Sequence, residues 1–124
     1  AKRCMESIIA TGGKVIIALE GTWSHFYDHL LEFPKGSVVA CIEGDDFIQA
    51  KKDLGDKVTL CGGMPVQLLR EGTKQQNIDH VRNIIDNCGM EGILLTQSQA
   101  LLSPGDVNPE NLKAVVDFVK TYKV

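Results

Sequence analysis

Gly92-Ile-Leu-Leu-Thr-Gln-Ser-Gln-Ala-Leu-Leu-Ser-Pro-Gly-Asp-Val-Asn-Pro-Glu-Asn-Leu-Lys-Ala-Val-Val-Asp-Phe-Val-Lys-Thr-Tyr122 is the stretch on which the fold turns. It reads as a buried strand over Gly92–Thr96, a long polar loop, and a helix with a heavily marked start. Asn108 suits an N-cap and Pro109 the first helical position, and at Glu110 the helix dipole favours an anion. Leu112, Val115, Val116 and Val119 then fall on one apolar stripe. Loops that run from strand to helix carry the chemistry of α/β proteins, so the polar segment after Thr96 is the first place to look for a site.

The same unit occurs three times upstream. Lys14–Glu20 is an apolar, β-branched run bounded by glycines, hence a buried strand. Ser37–Glu43 repeats it, down to a Glu-Gly at its end: Glu20-Gly21 in the first run, Glu43-Gly44 in the second. Lys57–Cys61 is a third strand, closed by Gly62-Gly63. Between them lie helical patterns. Trp23, Phe26, Tyr27, Leu30 and Leu31 step along one face before Pro34-Lys35-Gly36. Asp45 or Asp46 caps a helix carrying Phe47, Ala50 and Leu54, which Gly55 ends. Pro65 opens a short helix, and Thr73 with Gln76 fits a capping box for a longer one, with Val81, Ile84, Ile85 and Cys88 on one side. A weaker helix over Lys2–Thr11 precedes everything, with Met5, Ile8 and Ile9 at helical spacing.

A helix followed by four strand-helix units predicts an α/β domain with a parallel sheet. The whole chain, residues 1–124, is expected to be a single domain. A flavodoxin-like doubly wound sheet wants five strands, with helices on both faces. A complete (βα)8 barrel needs about 250 residues, so four units are half of one.

Composition narrows the function classes. Apolar residues make up 44% and charged residues 23%, which is ordinary for a soluble globular protein. A net charge of −3 with no basic run argues against a nucleic-acid partner. No apolar run approaches the roughly 20 residues of a membrane span. Cys4, Cys41, Cys61 and Cys88 show no pairing rhythm and read as buried reduced thiols, which leads to the expectation of a cytoplasmic protein without a signal peptide.

In a barrel the reacting residues stand at the carboxyl ends of the strands. Those ends carry Glu20 and Glu43, each directly before a glycine, then Cys61, then Gln97, Ser98 and Gln99. Glu20 and Glu43 in one pocket could orient a substrate, share a proton or bind a cation; they are the expected catalytic pair. Trp23, Cys61, Gln97, Ser98 and Gln99 are the expected substrate-binding residues, Trp23 as a floor for a flat ligand. Asp45 and Asp46 read as caps, and His25, His29 and His80 as surface residues.

The run Gly105-Asp-Val-Asn-Pro-Glu-Asn-Leu-Lys-Ala-Val-Val116 resembles the closing strand-loop-helix of the uroporphyrinogen decarboxylase superfamily. That superfamily joins the decarboxylases to zinc methyltransferases acting on methylated corrinoids. Leu54-Gly-Asp-Lys-Val-Thr-Leu-Cys-Gly-Gly-Met-Pro-Val-Gln-Leu-Leu-Arg-Glu-Gly-Thr73 is similar to a strand of that superfamily which ends in Gly-Asn before a proline, followed by a Leu-Leu and Gly-Thr helix start. The resemblance covers about Lys14 to Tyr122 and implies the carboxyl-terminal half of a TIM barrel.

The departures from the pattern matter too. Where the zinc methyltransferases carry His-x-Cys and Gly-Cys-Gly, this chain has Ala18-Leu19-Glu20 and Gln97-Ser98-Gln99, so no metal is assigned. The decarboxylases' Gly-His-Gly histidine is also missing from that last loop, and their arginines belong to the amino half. Glu20-Gly-Thr-Trp23 looks nearer to the methyltransferase group, so the resemblance implies, for the intact parent, corrinoid-linked methyl transfer on a small-molecule or corrinoid-protein substrate. Uroporphyrinogen decarboxylation in tetrapyrrole biosynthesis is the alternative. The 124-residue chain alone is expected to be inactive, and a catalytically silent, self-associating half barrel is the third reading. Unpaired outer strands predict a homodimer or higher assembly.

Overall fold

The computed structural model describes residues 2–123; the outermost bounds of the expected domain, residues 1 and 124, lie outside it. The chain opens with helix α1 (Lys2–Ala10), then strand β1 (Val15–Leu19), a 3₁₀ turn (Ser24–Phe26) and the short helix α2 (Tyr27–Leu30). Strand β2 (Val38–Ile42), α3 (Phe47–Leu54), β3 (Thr59–Met64), α4 (Val66–Glu71) and α5 (Lys74–Cys88) follow. Strand β4 (Ile93–Gln97) and α6 (Pro109–Thr121) close it. The four strands form one parallel sheet in the order β1-β2-β3-β4. The expected parallel α/β architecture is what the structure has.

Sequential order and one-sided burial separate this sheet from a doubly wound one, whose order reverses and whose two faces are both covered. Leu19, Val38, Ala40, Ile42, Leu60 and Met64 are buried, and the helices pack over them. Their neighbours along the strands point the other way, and Ile16 and Leu94 are 72% and 52% exposed there. This is half of a barrel wall with its inner face open. Helices cover one face, and the inner face that a whole barrel would bury stays open, as expected of half a barrel.

Two packed clusters lie beneath the sheet. The larger joins Met5, Tyr27, Phe33, Phe47, Leu54, Val58 and Ile84 to β1, β2 and β3. The smaller groups Met64, Leu69, Val81, Ile85 and Val115. The helix starts work as their residue types require: Asp46 accepts from the Gln49 N–H (2.9 Å), Thr73 and Gln76 form the capping box, and Asn108 accepts from the Glu110 N–H (3.0 Å).

Three expectations need correction. The helix expected from Trp23 to Leu31 is only a 3₁₀ turn and a single helical turn, because just Tyr27 and Leu30 find the core. On α6 the inward residues are Asn111 and Val115, whereas Leu112 and Val116 are 40% and 42% exposed. Half of that apolar stripe faces the uncovered β4 edge instead of a neighbour. Cys41 and Cys61, expected in the core, are half-buried on the open face, and Cys4, also expected to be buried, is exposed.

Candidate functional site

The register sets the first pair of site residues. Val15 to Leu19 align with Val38 to Ile42, so the repeated Glu-Gly motifs leave adjacent strands at the same level. Both turns depend on glycine. Gly21 sits at φ +79°, and a Cβ on Gly44 would fall 2.5 Å from the Gly21 carbonyl oxygen, which instead accepts the Gly44 N–H at 3.0 Å. The two turns thus lock together, and Glu20 and Glu43 come to one rim.

A cleft of about 700 Å³ opens at that rim over the uncovered face of the sheet. Glu20, Glu43, Cys61, Gln97, Ser98 and Gln99 all line it, together with Ala18, Cys41, Thr96 and Leu102. The volume is within the range of small-molecule sites. Glu43 is the fixed carboxylate: one oxygen accepts from the Gln99 amide at 2.7 Å, the other from the Gly21 N–H at 3.3 Å. Gln99 reaches it from beyond β4, across the end of β3. The Ser98 N–H donates to the Met64 carbonyl at 2.8 Å, continuing the β3–β4 ladder into the loop. Glu20 is exposed to solvent.

The loop beyond is tied by Asp106, which accepts from the Leu102 N–H (2.7 Å), the Ser103 N–H (2.9 Å) and the Ser103 hydroxyl (2.9 Å). The Leu102 and Ser103 amides hold the Asp106 carboxyl below its ordinary value.

Trp23 is placed elsewhere. Its indole N–H donates to the Glu20 carbonyl at 2.8 Å, and its ring lines a separate apolar groove of about 230 Å³ with Met5, Ile17, Phe26 and Phe33. That groove lies on the helix side of β1, so Trp23 does not floor the cleft.

Asp46 is the cap of α3 and Asp45 is not. Asp45 accepts from the Trp23 N–H at 2.8 Å and the Tyr27 hydroxyl at 2.9 Å. Burial, and then that bond to Asp45, pushes the Tyr27 phenol well above its usual range.

His25 and His29 are exposed as expected, but His80 is half-buried. Its Nε2–H donates to the Gly63 carbonyl at 2.7 Å, where β3 kinks through two glycines at φ +125° and +98°. It helps line a cavity of about 260 Å³ behind Glu43, with Asp46, Asn83 and Ser98. Only the Gly62-Gly63 pair hinted at this, by marking a carbonyl that turns away from the sheet.

Zinc does not fit the positions where related methyltransferases hold it. Ala18 offers a methyl group and Ser98 a hydroxyl, which leaves the single exposed carboxylate of Glu20, too few donors for zinc. No group of three or more His, Cys, Asp or Glu side chains is placed to hold a metal among the described residues.

A parallel sheet wound in one direction, with polar residues gathered where its strands end, is the architecture of a barrel enzyme. The chain belongs to the uroporphyrinogen decarboxylase (URO-D) family, whose model matches residues 1–122. No curated protein matches it. No helix among the described residues is long and apolar enough to cross a membrane.

Proposed function

We propose that this chain forms the carboxyl-terminal half of a barrel whose intact form carries out corrinoid-linked methyl transfer, in the cytoplasm where its unbridged thiols stay reduced. The observation that carries the reading is the pairing of Glu20 and Glu43 at the rim of a cleft otherwise lined by neutral groups. A methyl acceptor must lose a proton to become a nucleophile, and a positioned carboxylate can take it. Glu43 is positioned by the Gly21 N–H and the Gln99 amide; Glu20, beside it, orients the acceptor. Cys61, Gln97 and Ser98 shape the wall. The corrinoid enters as substrate and supplies the methyl group.

Uroporphyrinogen decarboxylation is the alternative within the family. A polycarboxylated tetrapyrrole would meet the Glu20 and Glu43 charges at this rim, a like-charge approach that disfavours binding.

The test is to incubate the full-length gene product with methylcobalamin and a thiol acceptor, following the visible spectrum of the corrinoid, with uroporphyrinogen turnover measured in parallel. Demethylation without decarboxylation is expected. Decarboxylation without demethylation would reverse the two readings, and inertness in both would leave a self-associating structural domain.

A further inference from the structure

Neither thiol of the cleft has a chemical role in the methyl transfer drawn above, where Cys61 only shapes the wall. Cys41 on β2 and Cys61 on β3 are register partners, so their side chains leave the sheet on the same face. Both line the cleft, both are half-buried, and neither is bridged. Neighbouring strands run about 4.8 Å apart, a separation that two sulfurs can span with one ion between them. Burial, and then the adjacent Cys41 thiol, raises Cys61 above the ordinary thiol value. Cys61 therefore stays protonated near neutral pH and is a sluggish nucleophile.

The donor count decides which ion suits it. Zinc wants four ligands, or three and a water, and no third metal-binding side chain joins these two among the described residues. Glu43, in the turn after β2, is held by the Gly21 N–H and the Gln99 amide at the rim and is not grouped with the two sulfurs. Soft thiolate donors select copper(I), which accepts two ligands in a line. The charges facing the pair, Glu20 and Glu43, are negative and favour a cation.

We propose that Cys41 and Cys61 form a two-sulfur site for copper(I) on the floor of the cleft. Two S–H bonds break, two Cu–S bonds form, and both protons pass to solvent. Copper stays in the +1 state, so no oxidant or reductant is required. Because protons compete for both sulfurs, retention of copper strengthens as pH rises.

The experiment is an anaerobic titration of the chain with copper(I) against the chelator bicinchoninate. One copper per chain with release of two protons is expected, and X-ray absorption should show two sulfur neighbours. Cys41→Ser and Cys61→Ser should each lose the ion, while the Cys4→Ser/Cys88→Ser double variant keeps it. Should the serine variants misfold, iodoacetamide labelling of the wild-type chain decides: copper(I) should protect Cys41 and Cys61 and leave Cys4 reactive. Copper retained by both serine variants, protection that falls on Cys4 or Cys88 instead, or no retention against the chelator would overturn the proposal.

Discussion

Glu43 reaches both sides of its own strand: towards β1 through the Gly21 N–H, and over β3 to the loop after β4 through Gln99. Glutamine at this position keeps its oxygen for the Gly21 N–H and can donate its amide to the Gln99 oxygen once that side chain flips, but cannot take up a proton. Glu43→Gln should therefore fold normally and lower the methyl-transfer rate of the full-length protein by about 100-fold, with little change in KM. Steady-state kinetics checks this, and a parallel loss of stability would instead mark Glu43 as structural. Single-residue roles were only partly legible in the sequence. Glu20 and Glu43 stood out because a charged residue ended an otherwise apolar run, and period-two alternation could have added Cys41, two places before Glu43. Asp45 and His80 gave no such signal. Their partners, Tyr27 and Gly63, lie 18 and 17 residues away, and only the tertiary fold brings them within reach.

Elements were more legible, since strands and caps announce themselves locally. Apolar runs closed by glycine marked β1, β2 and β3, one opened by Gly92 marked β4, and Asn108-Pro109 marked the start of α6. What local pattern could not supply was the face each helix turns inward. The Leu112 and Val116 stripe was plain in the sequence, yet the most buried residue on α6 is Asn111, 2% exposed, because the carbonyls at the end of α4 beneath it need donors. Its amide donates to the Leu69 carbonyl at 3.0 Å and the Gly72 carbonyl at 2.7 Å. Asn111→Ala removes both bonds from a buried seam and should cost about 1–3 kcal/mol, measurable by urea denaturation. The loop between β4 and α6 has its own pH dependence. The folded Asp106 carboxyl is lowered from 3.8, so its clamp is intact above that value and is lost as pH falls through the lower, folded one. The Leu102 and Ser103 amide resonances should shift together over that acid range, and Asp106→Asn should abolish the transition.

At the scale of the molecule, a four-stranded sheet covered on one face leaves two kinds of unfinished surface. The outer edges of β1 and β4 carry unpaired backbone groups, and Ile16 and Leu94 stand exposed on the inner wall. Such edges recruit partners, and we propose that two copies pair, β1 of one against β4 of the other. Light scattering should show a dimer that persists on dilution; a clean monomer would contradict this pairing. Family membership and the parallel order of strands were both readable from glycine-punctuated motifs. The open inner wall was readable only from the chain's length set against that of a whole barrel. The central claim is that the carboxyl ends of the four strands form one mouth where substrate is held. Amide chemical-shift mapping of the chain with methylcobalamin tests it most directly: perturbations should concentrate on Glu20, Glu43, Cys61 and Gln97 to Gln99, whereas shifts confined to the Trp23 groove, or none at all, would contradict it.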